Sequence, residues 1–253
     1  MSLHFDDVTV GYTNRIAIKN FSARVASGSL IAITGNNGSG KSTLLKAIAG
    51  LLKPISGKII KPTGNRIAYL AQQCNIDRTF PINVESLIKT GLWTFCGLWK
   101  KHRLYHKKIQ NALEMVGLAE QVHCPLDTLS SGQLQRALFA RIIVQDSDII
   151  LLDEPFNGVD TRTQKDLLAL IIHWQQQGRT IVMALHDFFM IQEHFPHMIH
   201  INKQCAFYGE TTLFLNANDR HITPAFMPRF SHIDSYKPHI NSHKQCLPIQ
   251  VGL

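Results

Sequence analysis

No apolar run in this 253-residue sequence is long enough to cross a bilayer, because Lys, Arg, Asp, Glu or Gln interrupts every candidate stretch. Cysteine is scarce. The five present (Cys74, Cys96, Cys124, Cys205, Cys246) are odd in number and never in C-x-x-C spacing. That excludes a disulfide framework and fits free thiols in a reducing compartment. The opening residues, Met1 to Asp7, carry acids and no apolar core, so no secretory signal is expected. Charge is also sparse, at 17% against 45% hydrophobic residues, which argues for a packed core rather than disorder. No internal repeat is visible. Acids are the minority sign: 18 against 26 Lys and Arg, a formal net charge of +8. This balance favours an anionic partner such as nucleic acid, a membrane surface or a nucleotide. The densest basic run, Lys100-Lys101-His102-Arg103 with His106-Lys107-Lys108, reads as a solvated helix face, or as a segment close to an anionic bilayer.

What is present is sharper. Gly35-Asn36-Asn37-Gly38-Ser39-Gly40-Lys41-Ser42 matches G-x-x-x-x-G-K-[ST], and Thr43 follows it. An apolar strand, Leu30 to Ile33, leads in. A helix from Ser42 to about Leu52 is predicted to lead out, stopped by Pro54. Glycines let backbone N–H groups curl around an anion, and the new helix directs its positive dipole end at the same place. Lys41 would add a full charge near the β- and γ-phosphates, and Ser42 a hydroxyl for Mg²⁺.

The rest of the chain supplies a frame for that loop. The first 30 residues or so read as short strands: His4 to Val10, closed by Gly11, and Phe21 to Val25. Asp148 to Asp153 and Thr180 to Leu185 are continuous apolar runs of the kind buried in a parallel sheet. They are separated by a helix from about Thr161 to Gln177, and a further helix begins near Asp187. Strand, helix, strand in this rhythm predicts an α/β core with right-handed crossovers. About Phe80 to Gln145 is helical in pattern and reads as an inserted helical subdomain. The domain is expected to span 1–215. Residues 216–253, with four prolines and His221, His232, His239 and His243, read as a loosely packed tail. Within it His239-x-x-x-His243-x-x-Cys246 has spacing compatible with zinc ligands, set against the plainer reading of a histidine-rich end.

Two further constellations carry chemistry. Asp153 and Glu154 end a buried strand before Pro155; the first is suited to the Mg²⁺ shell, the second to orienting or deprotonating a water. Leu129-Ser130-Ser131-Gly132-Gln133 opens a helix, Leu134 to about Val144, and reads either as a serine N-cap or as a second anion site.

Taken in order, these motifs resemble the ATPase subunit of an ABC transporter over about residues 3–210. The resemblance implies an α/β fold of the P-loop NTPase type: a mostly parallel core sheet, an N-terminal antiparallel β subdomain and a helical subdomain. It implies that Tyr12 stacks on adenine. Residues Gly35, Asn36, Asn37, Gly38, Ser39, Gly40, Lys41, Ser42 and Thr43 would hold the ATP phosphates. Gln72 (with Gln73 as a neighbouring alternative) would touch Mg²⁺ and water, and Ser42 and Asp153 would complete the metal set. Glu154 and His186 would act on the γ-phosphate. Asn157-Gly158-Val159-Asp160 matches the loop that crosses between ATPases. Ser131, Gly132 and Gln133, in a motif usually written L-S-G-G-Q, would grip the nucleotide of a second copy. A head-to-tail homodimer, ATP and Mg²⁺ follow. So do a membrane permease, an extracytoplasmic solute-binding protein acting indirectly, and a peripheral place on the cytoplasmic face of the inner membrane. Asp77 to Val84, Gly91, the basic run and Phe156 to Asp160 resemble the subfamily that imports zinc, manganese or iron. Siderophore, haem or cobalamin import is the alternative, with a soluble ATPase acting on nucleic acid as a third reading. No nucleic-acid partner is expected.

Overall fold

The computed structural model describes residues 2–13, 15–62, 64–72, 81–93 and 105–216. Gln73, residues 94–104 of the basic run and its flanks, and the histidine tail from 217 onward lie outside them. The chain divides into two compact units.

One unit comprises Ala26–Ser29 and Pro62–Ala184. Its strands β5 (Ile67–Leu70), β6 (Ile149–Asp153) and β7 (Thr180–Ala184) pair in parallel, with Ile67 opposite Ile149 and Ile149 opposite Thr180. Every residue of β6 and β7 is buried, which is why both read as unbroken apolar runs. The crossover from β6 to β7 is the helix predicted between them, α5 (Thr161–Gln176). Its Trp174 stacks on Phe139 of α4 (Ser131–Gln145) at 5.9 Å between ring centroids. Both rings are fully buried, each withdrawing well over 100 Å² from water. Between 81 and 145 the described residues hold α2 (Val84–Thr90), α3 (His106–Met115), two short 3-10 turns and α4. Lys108 of α3, from the basic run, does not point to open solvent alone: it pairs with Asp146 at 3.4 Å. Arg66 and Arg179 reach the same carboxylate.

The other unit comprises Ser2–Val25, Leu30–Lys61 and the chain from Leu185 onward. Here β1 (Leu3–Tyr12) lies between β2 (Arg15–Val25) and β4 (Ser56–Ile60), antiparallel to both. This is the N-terminal antiparallel sheet that was expected, but its strands are longer. β1 runs through Gly11 to Tyr12 rather than closing at Gly11, because Gly11 pairs with Ile16 across the hairpin. A second set joins β3 (Leu30–Gly35) in parallel to β8 (His197–Asn202), and β8 antiparallel to β9 (Cys205–Glu210). The helices are α1 (Lys41–Ala49), α6 (Phe188–His194) and α7 (Thr211–Asn216). α1 is shorter than the predicted Ser42 to Leu52. Gly50 takes a left-handed conformation (φ 81°) and returns its N–H to Lys46 and Ala47 carbonyls, closing the helix.

His200 of β8 is a buried polar residue beside the phosphate-loop strand, its Nδ1 3.0 Å from the Thr34 hydroxyl. Burial pushes its pKa below the ordinary value of 6.5. An imidazole held neutral by the fold but free to protonate when unfolded makes the unfolded state the better proton acceptor. Stability from this group is therefore unaffected well above pH 6.5 and falls as pH drops through 6.5 toward the lowered value. Thermal unfolding midpoints measured across this range are expected to fall with acid, and to fall less steeply in His200→Asn.

Candidate functional site

In the second unit β3 delivers the chain to Gly35 at its half-buried C-terminal end, and the backbone then reverses into α1. That reversal requires glycine. Gly35, Gly38 and Gly40 have φ of 147°, 75° and 116°, values side chains rarely tolerate. A Cβ on Gly40 would sit 2.9 Å from the Ala17 Cβ, and one on Gly35 would sit 2.6 Å from the Ser39 hydroxyl. No side chain caps the start of α1, so its first N–H groups and positive dipole end are left to a ligand. Asn36, Asn37 and Gly38 are exposed, and Ser39, Gly40, Ser42 and Thr43 are half-buried. Lys41 is 95% withdrawn from solvent, and its Nζ donates to the carbonyls of Gly35 (3.0 Å) and Asn36 (3.4 Å). The lysine thus bends back along its own loop.

Tyr12 ends β1 with 52% of its surface exposed, and its hydroxyl accepts from Lys46 of α1 at 3.5 Å. Beside it is an open depression of about 730 Å³ lined by Thr13, Arg15, Ile16, Ile55 and Gln204. Arg15 donates to the Gly38 carbonyl at 3.4 Å, tying the strand hairpin to the phosphate loop. The sequence reading did not single out Arg15. Its cue, a cation three residues after an exposed tyrosine, has meaning only once β1 and β2 are paired. His186 is exposed, just before Asp187, whose carboxylate caps α6 through the N–H groups of Phe189 and Met190.

The first unit carries the acids. β6 ends in Asp153, which is buried and accepts from the Tyr69 hydroxyl of β5 at 3.3 Å. Glu154 follows with φ 49° and is also buried. A bulky side chain in that left-handed region, immediately before Pro155, is a strained junction. The carboxylate Oε2 accepts from the Gln72 side-chain amide and from Asn157 Nδ2, the latter at 2.6 Å. Gln72 and Glu154, 82 positions apart in sequence, are therefore brought together.

Of the two sequence readings of that motif, the start of α4 displays the serine N-cap. Ser130 is the N-cap, in a reciprocal box with Gln133: each side chain satisfies the other's backbone N–H. Gln133 is thus occupied in holding the helix tip. Ser131 is exposed, and Gly132 is packed so closely that an added Cβ would lie 3.3 Å from Asp160 Oδ2. Asp160 itself caps α5, accepting from the Thr163 N–H at 2.9 Å. That backbone hydrogen bond, foremost, holds its carboxyl below the usual 3.8. Pro155 is pinned from the same helix by Gln135, which donates to its carbonyl at 2.7 Å.

One unit carries an anion cradle beside an exposed aromatic ring and the other carries two successive acids at the end of a buried strand, the residue types needed to bind and hydrolyse a nucleoside triphosphate. Comparison with known proteins agrees. Residues 18–157 match the ABC transporter family. The manganese transport system ATP-binding protein MntB of Listeria monocytogenes is 35% identical over 82% of this chain and 89% of its own length. The corresponding MntA of Synechocystis is 31% identical over 91% and 93%. Among solved structures, an ABC transporter in an inward-facing conformation superposes with a TM-score of 0.77 at 28% identity, covering 85% of each chain. For cbiO1 of Clostridium perfringens, part of the ABC transporter complex cbiONQ, the TM-score is 0.71 at 25% identity, over 86% and 91%. Cradle, acids and kinship point the same way: this chain belongs to the ABC transporter family, as one of its ATP-hydrolysing subunits.

Proposed function

We propose that the chain energises a membrane importer of a transition-metal ion, manganese or zinc, working as a head-to-tail homodimer bound to a separate permease at the cytoplasmic face of the membrane. One observation carries the cargo. Relatives named for manganese transport match at 31–35% identity across more than four-fifths of both chains, so the likeness extends well past the nucleotide motifs. No helix among the described residues is long and apolar enough to cross a membrane, and the spanning role falls to the permease. An extracytoplasmic binding protein would deliver the ion to it.

In this reading Tyr12 stacks on adenine, and the backbone from Gly35 to Thr43 encloses the phosphates while Lys41 offsets their charge. Glu154 takes a proton from the attacking water. Gln72 orients that water, and His186 donates to the γ-phosphate. Ser131 and Gly132 of a second copy close over the nucleotide, the helix tip held rigid by Gln133, with Asp160 anchoring the loop that crosses between copies. Ser42, Gln72 and Asp153 would supply hard oxygen donors of the kind Mg²⁺ prefers, and the ion, bound with ATP, would offset phosphate charge. ATP drives closure only through its preference for the closed dimer.

The test is metal uptake in cells deleted for this chain and restored with the native protein or with Lys41→Ala. Native protein should restore uptake of manganese or zinc, and Lys41→Ala should not. Unchanged uptake of both metals in the deleted cells would refute the cargo.

A further inference from the structure

Arg15 is exposed at the start of β2 and has no part in the nucleotide contacts assigned so far. Strand alternation puts Arg15 and Ala17 on one face of β2, and that face runs along the phosphate loop. A Cβ built on Gly40 would lie 2.9 Å from the Ala17 Cβ, and one built on Gly38 would lie 3.7 Å from the Arg15 guanidinium. The guanidinium donates to the Gly38 carbonyl at 3.4 Å, and among the described residues that neutral oxygen is its one polar partner. An arginine brings five N–H donors and a full charge, far more than one long hydrogen bond to a carbonyl uses. Arg15 also lines the open depression beside Tyr12, and among the described residues it is the one cation in that lining.

These contacts bear on the middle of a nucleotide. With the base on Tyr12 and the β- and γ-phosphates in the loop, the ribose and the α-phosphate cross the gap between the two. Arg15 touches both borders of that gap, and Tyr12, Arg15 and the loop belong to one compact unit. From this geometry we infer that Arg15 is a further nucleotide-binding residue, whose guanidinium holds the α-phosphate. Its planar fork matches two phosphate oxygens at once, which a lysine ammonium does only as a point charge. The exposed side chain gives up little hydration to make the contact. Lys41 serves the phosphates at the far end. ATP and ADP share the α-phosphate, so Arg15 grips both alike: it sets how tightly the nucleotide is held, not the choice between substrate and product.

This role for Arg15 rests on adenine lying against Tyr12, and the variants separate the two. Affinities for ATP and ADP are measured on the full chain with Mg²⁺, by competition against a fluorescent ATP analogue, for Arg15→Gln, Arg15→Lys and Tyr12→Ala. A thermal melt accompanies each. Arg15→Gln keeps an N–H donor for the Gly38 carbonyl but loses the charge. It is expected to weaken ATP and ADP by the same factor, about tenfold, the scale of one charge-assisted contact to phosphate. Arg15→Lys keeps the charge without the fork and should bind between Arg15→Gln and the native chain. An arginine that only ties the hairpin to the loop gives equal affinities in Arg15→Gln and Arg15→Lys. That equality, native affinity in Arg15→Gln, or a loss for ATP that ADP does not share overturns the inference. Native affinity in Tyr12→Ala overturns instead the placing of the base.

Discussion

Glu154→Gln is expected to bind ATP within about twofold of the native chain and to hydrolyse it at least about 10²-fold more slowly, the usual range for loss of a general base. The substitution is chosen for what it preserves. A glutamine carbonyl still accepts from Gln72 and Asn157, and the junction to Pro155 keeps its length and shape. What is lost is the negative charge and, with it, the ability to take a proton. Binding without turnover should then accumulate an ATP-loaded dimer, seen as a shift to twice the mass in size-exclusion chromatography with Mg²⁺-ATP. Glu154→Ala is the less informative variant, because it removes the acceptor of two amides together with the base and so mixes a structural change with the chemical one. Native turnover in Glu154→Gln would move the base elsewhere.

The parts legible in the sequence were those whose cause is local. The phosphate loop is one stretch of chain: its glycines, lysine and following helix are read directly, and so are the apolar runs that become β3, β6 and β7. Errors came where a local rule met a competing one. α1 was extended to about Leu52 because Leu52 continues the apolar period of Leu44, Leu45 and Ile48, but Gly50 stops the helix and the next residue, Leu51, is left 68% exposed. β8 and β9 were not read at all. In β8, histidines alternate with Met198, Ile199 and Ile201, which blurs the apolar run, although the strand is almost wholly buried. The contacts that set the geometry of the acids were beyond reach for a different reason. Tyr69 and Asp153 are 84 residues apart and Gln72 and Glu154 are 82 apart; the pairing of β5 with β6 brings each pair together. Asn157 lay inside a quoted motif, but nothing local says that its amide turns back to Glu154 rather than outward.

Lys41→Ala carries the other large effect, an ATP affinity weaker by roughly 10- to 100-fold, as expected when a charge-assisted contact to phosphate is lost. Two properties of Lys41 lead there. It is almost fully buried, although lysine is seldom so, and its ammonium donates to two carbonyls of its own loop. Carbonyl dipoles offset only part of the cost of removing a charge from water. A triphosphate offers far more, so the lysine gains by turning to it. Lys41→Ala should still fold, because alanine at the first position of α1 leaves the helix period intact; a thermal melt checks this before binding is compared. Lys41→Arg tests whether charge alone suffices. The guanidinium is planar and larger than the ammonium, and the space beneath Gly35 and Asn36 is already filled by the lysine stem. Arginine should therefore also bind ATP poorly, and titration with a fluorescent ATP analogue measures both variants. Native affinity in Lys41→Ala, with the fold intact, would mean that backbone N–H groups and the α1 dipole hold the phosphates by themselves.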